Sequence, residues 1–350
     1  MNKLEKIGIR GIALKWIESY LERRQQFVKL GNYKSECLDI ACGVPQGSVL
    51  GPKLFILYIN DICQVSKLLS LVLFADDTNV FCSGDDLEKL QVEINEELRK
   101  LKLWFDCNKL SLNVSKTNFM LFGKCRLNTQ VLLEIDGVAI NRVHENKFLG
   151  IMIDDRLSWK QHITHVKYKV SRSIALINKA KQVLDYKCLH SLYCSLILPY
   201  LHYCVEVWGN NYKTSIQSLI ILQKRALRTI HKVSYLEHTN ILFAQSKLLK
   251  FTDIVSYQTA IIMYKARNNL LPANIQQLFH EREGGYNLRG DFDFKTLSRN
   301  STMKSFCVSR TGVKLWNSLS EVHKRCPSIN HFKSMYKCMI FTRYMDEGNG

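Results

Sequence analysis

Residues 70–82 read SLVLFADDTNVFC. Two apolar arms, 71–74 and 78–82, flank a bare pair of carboxylates, Asp76 and Asp77. The arms are rich in β-formers and apolar on both faces, which suits two neighbouring strands of a covered sheet joined by a two-residue turn. Asp-Asp lacks the glycine that eases positive φ, so turn chemistry explains the pair poorly. Electrostatics explains it better. Adjacent carboxylates repel, and one tends to hold a proton unless a cation is near. A hard divalent cation removes that cost, because Mg²⁺ takes oxygen ligands and shares them with substrate phosphates. Two such ions roughly 3.5–4 Å apart stabilise both the attacking and the leaving oxygen of an in-line phosphoryl displacement. The plainer reading is an exposed turn with two solvated aspartates, and the neighbouring segments weigh between the two.

Residues 43–52, GVPQGSVLGP, form the second signal. Gly43, Gly47 and Gly51 permit close backbone approach, and the Gln46 amide can bond a base or sugar edge. A glycine-rich connector is the bland alternative. Residues 104–117, WFDCNKLSLNVSKT, put Lys116 early in a further strand, where it meets a phosphate or is simply solvated.

Around these segments the spacing predicts a helix over 11–24, a strand–turn–strand over 26–42, and a buried helix over 53–62 introduced by Gly51-Pro52. An amphipathic helix is predicted over 86–105, with Leu87, Leu90, Ile94, Leu98, Leu101 and Trp104 on one stripe and Asn108 at its end. Residues 110–122 read as extended. A hairpin should turn at Asp136-Gly137, and 146–154 should be another strand. After Trp159, helical spacing with Lys and Arg on the polar positions runs to about 275. Residues 281–301 read as a long loop, and a last helix falls near 328–343. An α+β region thus gives way to a helical one, with the boundary between 155 and 185.

Charge divides the chain in the same way. Residues 1–160 hold 22 Lys+Arg against 20 Asp+Glu, a net of +2, whereas residues 161–350 hold 27 against 11, a net of +16. Lys167, Lys169, Arg172, Lys179 and Lys181 lie on the first predicted helix of the back half. Lys224, Arg225, Arg228 and Lys232 lie on a later one, with Leu219, Leu222 and Ile230 on its core face. A solvated helix face does not account for so large an excess, which points to a polyanion such as nucleic acid, bound in a salt-dependent way.

Other classes are disfavoured. The twelve cysteines are scattered with no Cys-x-x-Cys pair, unlike a secreted disulfide scaffold, and are expected to be mostly buried reduced thiols. No signal peptide or membrane span is read, so an intracellular place, nuclear or cytoplasmic, is expected. Cys188, His190, Cys194, His202 and Cys204 cluster at a spacing that matches no common zinc module and read as buried helical thiols. His162 and His165 read as surface or duplex-facing residues.

GIRGIALKWIESYLERRQQFV, GVPQGSVLGPKLFILYINDI, LFADDTNVF, WFDCNKLSLNVSKTNFMLF and KFLGIMIDDRLSW occur in that order. Together with LYCSLILPYLHYCVEVWG, LQKRALRTI and RTGVKLWNSL further on, they resemble the successive blocks of reverse transcriptases from non-LTR retrotransposons of the jockey or CR1-like kind. The resemblance implies an α+β fold: a right-hand polymerase palm (partial) and thumb, followed by a mostly α-helical C-terminal domain. It implies a partial palm and fingers over 1–160, a helical thumb and connection over 161–280, and a basic C-terminal region over 281–350. Asp76 and Asp77 would hold Mg²⁺ (or Mn²⁺). Pro45, Gln46, Gly47 and Ala75 would line the nucleotide and template. Lys116 would face the triphosphate as a proton donor to the leaving group, and KFLGI, at 147–151, would be the hairpin that grips the primer. The basic helices would hold the duplex. The implied partners are an RNA template, a DNA primer and deoxynucleoside triphosphates.

The family's third carboxylate lies on a strand shortly before the GIRG helix, in a block resembling DFSKAFDTV. This chain starts at MNKLEKIGIRG, so that block, the fingers and the family's usual N-terminal endonuclease are expected to be missing from it. Asp61, in YINDI, reads as structural, and Asp39 is remote from metal-like spacing. The expectation is that RNA-directed DNA polymerase activity is lost in this chain alone, with a non-catalytic nucleic-acid-binding remnant as the alternative and a purely structural interaction domain as a third reading.

Overall fold

The amphipathic stripe at 86–105 becomes the helix Leu87–Cys107 in the computed structural model of the chain. Its start is fixed locally: the Asp86 carboxylate accepts from the amides of Glu88 and Lys89, 3.0 and 3.3 Å away, satisfying donors that have no intrahelical acceptor. Asn108 closes it, its Nδ2 donating to the Trp104 carbonyl at 2.7 Å. Residues 1–40, 43–123, 130–282, 293–296 and 305–347 are described. They divide into two units, Met1–Val143 and His144–Gly350.

The first unit mixes helices with short hairpins. Helices Asn2–Lys6, Gly11–Leu21 and Gly51–Ile59 share a small cluster of Leu4, Ile17 and Leu54. Ile62, Leu69 and Leu101 make a second cluster, and Leu133, Ile135 and Ile140 a third. Among the described residues each cluster has only three buried apolar members and no deep core forms, and apolar side chains such as Ile12 (89% exposed) and Trp16 (61%) stay open to solvent. A polar tie compensates. The Lys3 ammonium pairs with Asp61 at 2.8 Å, donates to the Tyr58 carbonyl at 2.7 Å and lies over the Tyr58 and Trp104 rings.

Residues 26–42 were expected to form one strand–turn–strand. The structure shows two short antiparallel tiers, Gln25–Gln26 with Leu38–Asp39 and Lys29–Leu30 with Tyr33–Lys34. The turn at Asp136-Gly137 joins Glu134–Ile135 to Val138–Ala139, with φ of +52° and +72° at the two turn residues, the primed geometry that suits strand twist. The single strand expected over 146–154 is instead a hairpin, Glu145–Phe148 against Ile151–Asp154. Leu149 and Gly150 both take positive φ, +45° and +87°, so the chain reverses there.

That hairpin belongs to the second unit, because Ile151 joins the helical core; the division therefore falls earlier than the 155–185 expected from composition. Behind it run the helices Lys160–Ala180, Tyr186–Leu196, Lys213–His231, Phe251–Arg267, Val308–Asn317 and Ile329–Asp346, among shorter ones. One continuous core includes the fully buried rings of Trp208, Trp316, Tyr193, Phe251 and Phe332. Several of its buried polar groups are paired. The Gln223 amide donates to Tyr193 Oη (3.0 Å) and the Leu249 carbonyl (2.9 Å), and accepts from Phe251 N (2.7 Å). Asp253 accepts from Arg343 at 2.5 Å and from the Tyr344 hydroxyl, tying the last helix to Phe251–Arg267. The loop expected over 281–301 lies largely outside the described residues.

His162 corrects the surface reading. It is buried, 4% exposed, with its ring edge-to-face on Trp208 at 4.9 Å. Its Nδ1 accepts from Met152 N at 3.4 Å, and its Nε2 has no partner among the described residues. Period-four spacing places 162 with Ile163, Val166 and Val170 on the core stripe, so the helix carries the ring inward. Burial, and secondarily His165, lowers its pKa to about 4. The unfolded chain therefore binds this proton more readily than the folded one. The neutral ring's contribution is intact above pH 6.5, falls as pH drops towards 4, and totals about 3 kcal/mol at most. Urea unfolding of wild type and His162→Phe at pH 7, 5.5 and 4 should show wild type losing stability faster than the variant; parallel losses would contradict this.

Candidate functional site

Strands Ser70–Phe74 and Asp77–Phe81 pair antiparallel, with Phe74 opposite Asp77, Val72 opposite Asn79 and Ser70 opposite Phe81. The turn is therefore Ala75 and Asp76, and Asp77 is the first residue of the returning strand. Ala75 takes φ +52°, a left-handed conformation that glycine adopts without strain and alanine does not. Side-chain alternation sorts the two faces. Leu71 and Leu73 pack on the cluster of Ile62, Leu69 and Leu101, whereas Val72, Phe74 and Phe81 stay open, Phe74 at 61%.

The expectation of a sheet covered on both faces is thus corrected. The ladder has two strands only, and among the described residues no other strand or layer covers its second face. Asp76 and Asp77 are exposed. Among the described residues neither side chain takes part in a hydrogen bond or an ion pair.

The sequence contains two other Asp-Asp pairs, and their fates differ. Asp86 caps its helix. Asp154 accepts from the amides of Arg156, Ser158 and Trp159 at 3.1, 3.0 and 2.9 Å, and Asp155 meets His144 Nδ1 at 2.8 Å. Each of those pairs has at least one carboxylate engaged by the fold. The 76–77 pair is left with its repulsion unrelieved, which fits a site for a hard cation. No group of three or more His, Cys, Asp or Glu placed to hold a metal occurs among the described residues, so these two oxygen donors would act without a third acidic neighbour. Asp61 is occupied by Lys3, and Asp39 accepts from Gln25 Nε2 at 2.9 Å.

The segment Pro45–Gly47 is a turn closed by Ser48, whose amide donates to the Pro45 carbonyl at 3.4 Å. Ser48 Oγ donates to the Pro45 carbonyl at 2.8 Å and accepts from Gly51 N at 3.0 Å. Arg24 adds a hydrogen bond to the Gly43 carbonyl. Gly43 and Gly47 are needed for positive φ, +86° and +78°, rather than for close approach. Gly51 is the crowded one: a Cβ there would lie 2.7 Å from Ser48 Oγ and 3.2 Å from the Pro45 carbonyl oxygen. Gln46 is exposed, its amide free of hydrogen bonds among the described residues. Lys116 ends a 3₁₀ turn, Val114–Lys116, capped by the Asn113 side chain, and precedes the strand Asn118–Phe119. Its exposed ammonium has no ion-pair partner among the described residues. No hydrogen bond or ion pair joins Asp76 or Asp77 to Lys116 or to residues 45–47 among the described residues.

The basic residues sit in the second unit. Lys167, Lys169, Arg172 and Lys179 lie on Lys160–Ala180, and Lys181 is its C-cap. Lys224, Arg225 and Arg228 lie on Lys213–His231, which packs against it. Arg172 lies 5.6 Å from the Tyr168 ring, one helical turn away, and Arg228 Nε donates to the Glu237 carbonyl at 2.8 Å. Tyr168 was not singled out from the sequence, although its four-residue spacing from Arg172 was there to be read.

The cluster around Cys188 does not converge as a set. His190 meets the Ser246 carbonyl and, at 3.7 Å, Cys194 Sγ, whereas His202 meets Gln258, Cys188 is exposed and Cys204 is half-buried. The wider expectation of buried thiols is also corrected: of the described cysteines only Cys326 is buried, while Cys37, Cys63, Cys107, Cys188, Cys307 and Cys338 are exposed. Isolated cysteines on short strands, turns and amphipathic helices have no core behind them to enter. Among the described residues no helix is long and apolar enough to cross a membrane.

Residues 1–153 match the family model described as Reverse transcriptase (RNA-dependent DNA polymerase). Over most of its length the chain resembles enzymes of non-LTR retrotransposons. It is 28% identical over 270 residues to the RNA-directed DNA polymerase from mobile element jockey of Drosophila melanogaster, covering 74% of this chain and 29% of that protein. It is 26% identical to the probable RNA-directed DNA polymerase from transposon BS over 70% of this chain and 28% of the relative. It is 27% identical to the probable enzyme from transposon X-element, over 69% and 27%; both are from the same species. The chain thus spans under a third of the length of these relatives.

Gly51→Ala sets two effects against each other. Alanine favours a helix by up to about 1 kcal/mol, but its Cβ would drive Ser48 Oγ from both of its hydrogen bonds and crowd the Pro45 carbonyl. Crowding should win, lowering stability by about 1–2 kcal/mol. An unchanged or raised urea midpoint would refute that reading of the loop.

Proposed function

We propose that this chain is the polymerase segment of an RNA-directed DNA polymerase of a non-LTR retrotransposon, acting inside the cell, with a partial palm and fingers over 1–160, a thumb and connection over 161–280, and a basic C-terminal region over 281–350. The observation that carries the proposal is the exposed, unpartnered pair Asp76–Asp77 on a strained hairpin turn, within the residues that match the family. Those two carboxylates would hold Mg²⁺ or Mn²⁺, which when bound lowers the cost of charge developing on phosphoryl oxygens. The remaining roles fall to the chain's own groups. The Gln46 amide has donor and acceptor free for a base or sugar edge. Pro45, Gly47 and Ala75 present backbone rather than bulk, leaving room for a nucleotide and template. The Lys116 ammonium neutralises a phosphate and can hand a proton to a leaving pyrophosphate oxygen. The basic helices hold the RNA template and DNA primer by their backbones.

The same site supports a second reading, a nucleic-acid-binding chain that does not polymerise by itself. Two adjacent aspartates with no third acidic neighbour among the described residues make a weak seat for one ion and a poor one for two. Primer extension on an RNA template with Mg²⁺ or Mn²⁺, run beside filter binding over a salt series, separates the readings. The expected outcome is salt-dependent binding without extension by this chain alone. Extension that disappears in Asp76→Asn would overturn the inactive reading and establish the polymerase. Absence of salt-dependent binding would instead indicate a structural interaction domain.

A further inference from the structure

Helices Lys160–Ala180 and Lys213–His231 leave an open groove of about 230 Å³ between them. Its floor is apolar, made by Ile174, Ala175 and Leu222, and its polar lining is Ser171, Asn178, Lys179 and Arg225. Ser171 and Ala175 lie four residues apart on one helix face, so two small side chains fall in line and the groove stays open. Among the described residues, Lys179 and Arg225 have no ion pair, and the Ser171 and Asn178 side chains have no hydrogen bond. These are four exposed or half-buried polar groups around an apolar floor with none of their bonding capacity used.

We infer that this groove seats the sugar–phosphate backbone of an RNA strand. A free inorganic anion would want polar groups on every side, whereas here the base of the groove is hydrocarbon. A ribose face fits hydrocarbon, and the phosphates on either side of it fit a lysine and an arginine on opposite walls. The serine hydroxyl and the asparagine amide can each donate to and accept from a sugar 2′-hydroxyl, the group that separates RNA from DNA. The net charge of +16 over residues 161–350 supplies the long-range attraction, and Lys167 and Arg172 continue the cationic face along the same helix. The inference rests on the proposed nucleic-acid reading of this unit and narrows it to one groove and one kind of strand.

Fluorescence anisotropy tests it, with the full chain and short labelled duplexes of one sequence made as RNA, as RNA–DNA hybrid and as DNA. RNA should bind more tightly than DNA. The double variant Ser171→Ala with Asn178→Ala should weaken RNA binding about fivefold to tenfold and leave DNA unchanged. Lys179→Gln with Arg225→Gln should weaken every duplex and flatten the salt dependence by about 0.7–0.9 per phosphate lost. Ala175→Leu, which fills the groove without touching its charges, should reduce RNA binding while the helical circular dichroism stays as in wild type. Salt-dependent binding that ignores all three changes, or that falls equally for RNA and DNA in the Ser171/Asn178 variant, overturns the groove alone. No salt-dependent binding to any duplex overturns both the groove and the nucleic-acid reading beneath it.

Discussion

Two carboxylates on adjacent residues repel wherever they sit, and a fold must relieve that repulsion or leave it for something else to relieve. At 154–155 the chain relieves it fully, with three backbone amides on one carboxylate and a histidine on the other. At 85–86 one acid is spent on a helix start. At 76–77 nothing in the described chain answers it, and the turn that displays the pair strains Ala75 by about 1–2 kcal/mol. The cost persists because the ladder behind the turn is fixed: Leu71 and Leu73 clamp one face of the hairpin to the helix Leu87–Cys107, and register then dictates which residues reach the tip.

The two units solve stability differently. The second buries large rings in one continuous core and ties some interior polar groups to specific partners, as at Gln223 and Asp253. The first relies on three small clusters joined by polar ties, of which Lys3 with Asp61 and Tyr58 is the densest, and leaves many apolar side chains open. That division suits a chain whose helical unit offers a stable, positively charged platform while its front unit presents loops and turns.

What could be read from residues alone was whatever local chemistry fixes. The helix at 87–107 was visible because its cap, its stripe and its closing asparagine all lie within the segment. The Asp136-Gly137 turn was visible because few dipeptides tolerate its φ values. The acidic pair and the glycine turn at 43–51 were visible as unusual residue choices. What escaped reading depends on residues far apart in sequence. Apolar arms do not say whether both faces will be covered, and the open face of Val72, Phe74 and Phe81 is a tertiary fact. His162 looked like a surface residue until Trp208, 46 positions on, packed against it. At Leu149-Gly150 the residue pattern alone read as one strand, because leucine rarely takes positive φ, and only the family resemblance pointed to a hairpin. Lys179 and Arg225 were named separately, and only helix packing shows that they line one groove.

The hairpin at 70–81 has both flanks open and one apolar face uncovered by the described residues. A ladder in that state is a template on which strands of other copies can add. The charges at its tip therefore have a second effect that needs no ion: at high concentration, mutual repulsion between like-charged turns keeps neighbouring molecules from stacking edge to edge. Neutralising those charges would remove a guard against self-association from the same few residues that display the acids.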